Sequence, residues 1–266
     1  MAVAPSYWFS AANEAVLPER RAQIVELGGL ELLLPLTQSP DIEVQRLAAH
    51  ALANLSVLPE NQVTIAEQGG VEMLIPLLSS SSVKVKQQAA KGLANLGVNV
   101  DNKRRIADAG GIIALLPLLS STESRVVVES IAALANLAVD DDNEAAIGKA
   151  GALGLILNAS TTFKDHAEVT NQCARALRNL SVNGTCAAGL TPPRIHKANG
   201  KPAQQILTPC HFAEENKEQL MKLGAVAVLQ AMAAGGSDKL VAQCKRALTN
   251  LGAALPAAAA AGGRHK

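Results

Sequence analysis

The chain has 266 residues, of which 48% are hydrophobic, 18% charged and 2% aromatic, with a formal net charge of +1. That apolar fraction excludes a disordered chain, and the near-neutral charge and five aromatic rings disfavour a dedicated nucleic-acid binder. A core made of Ala, Leu, Ile and Val favours closely packed helices.

The N-terminus, Met1-Ala2-Val3-Ala4-Pro5, has no basic region followed by an apolar run, so no signal peptide is read. Ala2 in place of Gly excludes N-myristoylation. No apolar run approaches the roughly 20 residues that span a bilayer. Four Cys in a chain of this length do not make a disulfide framework. The expected setting is cytoplasmic, with a nuclear location or peripheral membrane association through a partner left open.

Residues 1–17 read as a degenerate half-repeat. Val16-Leu17-Pro18-Glu19 matches Val57-Leu58-Pro59-Glu60 at an offset of 41. Tyr7 to Ala15 is then the last helix of a partial repeat. It either caps the open end of the array with Tyr7, Trp8 and Phe9 or marks a truncated gene model.

From residue 18 onward the chain repeats itself, and such periods are the first thing to seek in a sequence. Asn-Leu recurs at Asn54, Asn95 and Asn136 with a spacing of 41, then at Asn179 and Asn250. Gly28, Gly69, Gly110 and Gly151 keep the same beat, and Gly224 follows. So do Asn61, Asn102 and Asn143, and Pro35, Pro76 and Pro117. Cys173 and Cys244 share one slot and read as small buried residues.

Each unit reads as three helices. In the second unit the first helix runs from Pro59 to Glu67 and ends at Gly69-Gly70, where a left-handed turn needs glycine. An apolar run from Val71 to Leu78 forms the second, and Pro76 should kink it. After a polar loop, the third spans Val83 to Leu96, with Val85, Ala89, Leu93 and Leu96 at helical spacing. One unit cannot bury its apolar faces alone, whereas stacked neighbours can.

Five full repeats follow this scheme, at 18–57, 58–98, 99–139, 140–183 and 215–253. Residues 184–214 break it with Pro192-Pro193, Pro202 and Pro209 and no helical period. The segment is either a functional insertion loop or a retained intron, whose removal restores the repeat spacing. The Ala-rich tail, 254–266, reads as disordered.

The pattern Asn-x3-Ile-x3-Gly-Gly-Val/Ile-x2-Leu-Ile/Leu-x-Leu-Leu, followed by Val-x3-Ala-Ala-x2-Leu-Ala-Asn-Leu, resembles the armadillo repeat. It runs from Asn61 to Leu96 and again, with Ser130-Ile131 in place of Ala-Ala, from Asn102 to Leu137. The resemblance covers residues 18–183 and 215–252 and is nearest to multi-repeat vacuolar-type and β-catenin-like scaffolds. It implies an all-α armadillo solenoid, a right-handed superhelix of three-helix repeats. It also implies that the third-helix asparagines, Asn54, Asn95, Asn136, Asn179 and Asn250, line a concave groove and hold the backbone of an extended peptide. An amide carries both donor and acceptor, so it can pair peptide groups of any sequence. The competing reading is that each Asn bonds the neighbouring turn of the array.

The positions four residues before these asparagines are His50, Lys91, Ala132, Arg175 and Arg246, and they share the same face. Importin-α-type adaptors carry Trp there, and this chain has none in the column. Seven before stand Leu47, Gln88, Glu129, Gln172 and Gln243. This stripe is mildly basic and amide-rich, with Glu129 its only acid. The expected ligand is therefore an extended, neutral-to-acidic peptide segment, and the expected role is a protein interaction scaffold.

A substrate-recruiting fragment of a U-box ubiquitin ligase and an atypical nuclear import adaptor are the alternatives. No enzyme, cofactor, metal, nucleic acid or small-molecule substrate is expected. Gly148-x2-Gly151-x2-Gly154 has no preceding strand, Gly200-Lys201 runs into Pro202, and Cys186, His196, Cys210 and His211 lack the paired spacing of a zinc site.

Overall fold

The computed structural model describes residues 14–182 and 209–256, side chains of 209–213 excepted. The expected cap at Tyr7, Trp8 and Phe9, most of the 184–214 insertion and the tail from 257 lie outside the described residues. Among the described residues there are helices and turns and no strand. The protein is an all-α armadillo-type solenoid. It divides into two compact units, Met1–Asp140 and Asp141–Lys266, which carry repeats one to three and four to five.

In the N-terminal unit the three-helix scheme is met in order. Repeat one has helices Pro18–Glu26, Gly29–Leu36 and Ile42–Leu55. Repeat two has Pro59–Glu67, Gly70–Leu77 and Val83–Leu96. Repeat three has Val100–Asp108, Gly111–Leu115 continued as a 3-10 turn Leu116–Ser120, and Ser124–Leu137. The C-terminal unit contains Asp141–Lys149, Ala152–Thr162 and Ala167–Asn179, then Pro209–Lys222, Ala225–Ala234 and Asp238–Asn250.

Local chemistry explains these bounds. Pro59 opens its helix at the first turn, where its missing N–H costs nothing. Gly69 closes the turn after it with φ +89°, a conformation that a Cβ would strain. A Cβ on the next residue, Gly70, would stand 2.7 Å from the Ile65 carbonyl oxygen. Repeats four and five carry Ala152 and Ala225 in that second slot, so only the left-handed glycine is kept in all five. Four of the five third helices start on side-chain caps, such as Asp41 Oδ1 accepting from Glu43 N at 2.8 Å, and the exception is Ser124–Leu137 behind Glu123.

The proline column behaves differently from a mid-helix kink. Pro35 and Pro76 sit one residue before the end of eight-residue helices. Pro117 falls in the 3-10 turn that ends its helix. The carbonyls these prolines leave unbonded belong to Glu31, Glu72 and Ile113, all exposed residues, where water can take the bond.

One boundary departs from the sequence reading. The first helix of repeat five begins at Pro209, inside the segment expected to be irregular to residue 214. It has fourteen residues where its counterpart Pro59–Glu67 has nine.

Stacking buries a continuous aliphatic core in each unit. In the N-terminal unit the third helices pack against one another, and Leu52, Leu74, Leu93, Leu96 and Ile131 are fully enclosed. In the C-terminal unit helix Ala167–Asn179 packs on Asp238–Asn250 over Leu177, Leu248 and the two cysteines. Burial pushes the Cys173 thiol up to about 12 and the Cys244 thiol up to about 11, so both are inert packing groups.

Candidate functional site

The stripe read from the sequence lies on the third helices, and the structure gives its amides a definite job. Asn95 Nδ2 donates to the Ala53 carbonyl at 2.9 Å and lies 3.3 Å from Ser56 Oγ. Asn136 Nδ2 donates to the Ala94 carbonyl at 2.7 Å. In the C-terminal unit Asn250 Nδ2 donates to the Arg178 carbonyl at 3.2 Å, beside Ser181 Oγ at 3.3 Å. In each case the acceptor is the residue just before the preceding repeat's asparagine. The Nδ2 group of each of these three amides is therefore engaged in holding the preceding repeat. The sequence reading had offered the whole amide to a ligand, with this neighbouring-turn bond as its competitor.

What remains differs along the column. Asn54, Asn136 and Asn179 are buried, whereas Asn95 and Asn250 are half-buried. Among the described residues the Oδ1 atoms of Asn95 and Asn250 accept no hydrogen bond. Asn54 Nδ2 lies 3.2 Å from His50 Nε2. Burial, and then the positive charges of Lys91 and Arg46, hold the His50 imidazole below its ordinary value.

The flanking positions divide in the same way. Leu47 and Ala132 are buried, so they contribute core rather than surface. Lys91, Gln88 and Glu129 are half-buried, and the Gln88 Oε1 atom is enclosed with no hydrogen-bond partner. In the C-terminal unit Arg175 Nη1 donates to Gln172 Oε1 at 3.3 Å, and Arg246 is exposed.

One residue of the stripe was absent from the sequence reading. Arg178 directly precedes Asn179, where the other repeats have Ala53, Ala94, Ala135 and Thr249. A guanidinium in a column of small residues was the available signal. Its Nη1 donates to Gln243 Oε1 at 2.8 Å, which ties the third helices of repeats four and five together.

A second ladder runs through the first helices. Asn61 Nδ2 donates to the carbonyls of Arg21, 3.0 Å, and Leu55, 3.1 Å. Asn102 does the same with Gln62 and Leu96, at 2.9 and 3.2 Å. Asn216 Nδ2 reaches the Glu144 carbonyl at 3.2 Å. All three asparagines are buried. This column is structural, because its buried donors are satisfied by backbone oxygens of the neighbouring repeat and of the turn before their own helix.

Among the described residues no group of three His, Cys, Asp or Glu side chains is placed to hold a metal ion. No helix among them is long and apolar enough to cross a membrane.

Comparison with known proteins agrees with the repeat fold. The family model described as Armadillo-like matches residues 25–190. The chain is similar to an engineered protein, target OR329, at 31% identity and TM-score 0.76, over 93% of this chain and 90% of that one. A designed armadillo repeat protein in complex with the peptide (KR)4 matches at 22% identity and TM-score 0.73, over 92% of each chain. A structure concerned with the interaction between cadherin and β-catenin matches at 21% identity and TM-score 0.66, over 84% of this chain and 36% of that one. The last two likenesses bear on the fold alone. The search of curated proteins gave no match.

Proposed function

Because this chain belongs to the armadillo-like family, we propose that it is an interaction scaffold that binds an extended, neutral-to-acidic peptide segment along its third helices. The observation that carries this reading is the charge of the stripe. Lys91, Arg175, Arg178 and Arg246 stand on it against one acid, Glu129. The acceptor oxygens of Asn95 and Asn250 add sequence-blind sites for peptide N–H groups. Stacked helices lie roughly 8–10 Å apart and an extended chain rises about 3.3 Å per residue. Within each unit, one amide thus meets the ligand at about every third residue.

Selection from a randomised peptide display library tests the proposal. The expected outcome is enrichment of sequences with Asp or Glu, and loss of their binding to a folded Lys91→Glu, Arg246→Glu double variant. Enrichment of Lys- and Arg-rich peptides would favour the import-adaptor reading instead, in line with the (KR)4 ligand of the designed relative. Binding retained by the variant would move the interaction surface off the third helices.

A further inference from the structure

Exposed aliphatic side chains are ordinary when they stand singly. The N-terminal unit instead repeats one in a single slot. Val57, Val98 and Val139 each follow the asparagine of a third helix by three residues, and they are 44, 58 and 63% exposed. Val16 holds the same slot ahead of repeat one. Other exposed slots of the unit do not keep their residue. The slot before the left-handed glycine reads Leu27, Gln68 and Ala109, and the second position of the third helix reads Glu43, Lys84 and Arg125.

The valines prolong the face on which the asparagines stand. Val57 N donates to the Asn54 carbonyl at 3.3 Å and Val98 N to the Asn95 carbonyl at 3.2 Å. Such bonds make a 3-10 turn, in which residues three apart eclipse one another. Bonds between repeats set the columns side by side. Asn95 Nδ2 meets the Ala53 carbonyl at 2.9 Å and lies 3.3 Å from Ser56 Oγ, on the residue next to Val57. Asn136 Nδ2 meets the Ala94 carbonyl in the same way at 2.7 Å. Along the helix axis, Lys91 stands about 6 Å to one side of Asn95 and Val98 about 5 Å to the other. The asparagine column thus has an aliphatic edge and a polar edge. On the polar edge Lys91 makes no ion pair among the described residues.

We infer that the valine column selects the ligand: the segment lying on the third helices of the N-terminal unit presents a row of aliphatic side chains to Val57, Val98 and Val139 and turns an acidic side chain to Lys91. This rests on the peptide-binding reading above and adds the aliphatic row to it. Successive side chains of an extended chain point to opposite sides, so alternate residues of one segment serve both edges. Four alternate residues span about 20 Å, which is the reach of two repeat steps of roughly 8–10 Å. Between the two edges, Asn95 Oδ1 accepts no hydrogen bond among the described residues and takes a backbone N–H of the segment. A helical ligand would spend its N–H groups on itself and leave that oxygen unmet.

The test uses the full chain with carbon-13-labelled valine methyl groups. It is titrated with the peptide Ser-Val-Ser-Val-Glu-Val-Ser-Val-Ser. A second peptide has threonine for each valine, which keeps the shape and removes the aliphatic row. A third has the same composition with its four valines in one run. The first should bind at least about tenfold tighter than the threonine form. It should shift the methyl signals of Val57, Val98 and Val139, and it should also bind tighter than the third peptide. Val57→Thr combined with Val98→Thr, equal in shape and exposed, should cut the preference for valine to less than about threefold. The same double variant should leave the affinity for the threonine form unchanged. Val63→Thr, at an exposed position on the first helix of repeat two, should leave the preference intact.

Equal binding of the valine and threonine forms overturns the inference. So does a preference that survives the double variant, or a run of valines that binds as well as the alternating row. A library-selected acidic peptide serves as control. If its binding depends on Lys91 and the valine preference is missing, this inference falls alone, and if the control fails too, the peptide-scaffold reading falls with it. Sedimentation velocity without peptide checks the remaining occupant. A dimer dispersed by the double variant would assign the column to a second copy of the chain and overturn the peptide.

Discussion

Asn102 lies one repeat beyond Gln62 and donates its side-chain amide to that residue's carbonyl at 2.9 Å. The same nitrogen reaches the Leu96 carbonyl at 3.2 Å, so one buried amide fastens the first helices of repeats two and three and closes the turn behind a third helix. Asn61 repeats the arrangement one unit earlier. Shape-matched aliphatic packing allows sliding of a layer over its neighbour, whereas these directional bonds fix the register.

Removing this staple should show in stability. Asn102→Ala removes two side-chain hydrogen bonds at a buried position and should cost about 1–3 kcal/mol. Asn95→Ala, at a half-buried position, should cost about 0.5–1.5 kcal/mol. Urea unfolding followed by far-UV circular dichroism measures both. A wild-type midpoint for Asn102→Ala would refute the staple.

Leu93 is fully enclosed within the N-terminal unit. Leu93→Ala should cost roughly 2–5 kcal/mol, as buried leucine truncations do. Unfolding midpoints compared at constant slope give the value, and an unchanged midpoint would contradict the assigned facing of helix Val83–Leu96.

Gly148 matters because of close approach. A Cβ there would overlap Asn216 Oδ1, the residue whose Nδ2 bonds the Glu144 carbonyl. Gly148→Ala should destabilise the C-terminal unit by about 1–3 kcal/mol. The double variant with Asn216→Ala should lose less than the sum of the two single changes. Hydrogen exchange resolved by peptide should localise the loss to residues 141–182 and 209–252. Strict additivity would mean that the two residues do not touch.

Glu144 gives the C-terminal unit a pH dependence. Burial raises its carboxyl to about 7, with Asp141 adding to the rise and the Asn216 hydrogen bond and Lys217 opposing it. The ordinary value is near 4.5, so between these two pH values the folded chain holds a proton that the unfolded chain has lost. Stability from this group is fully present below about 4.5 and is lost as pH rises through about 7. The loss is at most about 3 kcal/mol. Glu144→Gln should flatten that dependence and raise the thermal midpoint at pH 8. A midpoint that falls at pH 8 would reverse the assignment.

His50 is held below its ordinary value near 6.5, so the folded chain binds its proton less readily than the unfolded one. Its contribution to stability is therefore present above about 6.5 and is lost as pH falls through the folded value. Lys91→Ala removes one of the charges responsible and should raise the His50 value in an NMR titration. An unmoved titration would separate Lys91 from His50.

Much of this arrangement was legible in the residues themselves. Helix bounds such as Pro59–Glu67 and Val83–Leu96 follow from a proline at the first turn, a serine cap and a left-handed glycine, all local features. The columns of asparagine were equally plain. Their use was not, because the acceptors Ala53, Ala94 and Gln62 pair through backbone oxygens, and a backbone oxygen leaves no mark in a sequence. Arg178 stands one residue from the asparagine, outside the steps of four and seven that mark a shared helix face in the sequence. The start at Pro209 was missed because repeat periodicity extends only to the counterpart of a nine-residue helix.

Staples that end on backbone oxygens do not care which side chains surround them. If residues 58–98 were excised, Asn102 would take over the position of Asn61 and find the carbonyls of Arg21 and Leu55. Asn136 would take over that of Asn95 and find Ala53 and Ser56. The repeat is thus an interchangeable cassette. Chains of this kind can lengthen by duplication or shorten by deletion in whole steps of 41 residues without inventing a new interface. The exposed residues of each copy can then drift independently, which is how an Arg can come to stand where its sister copies keep Ala.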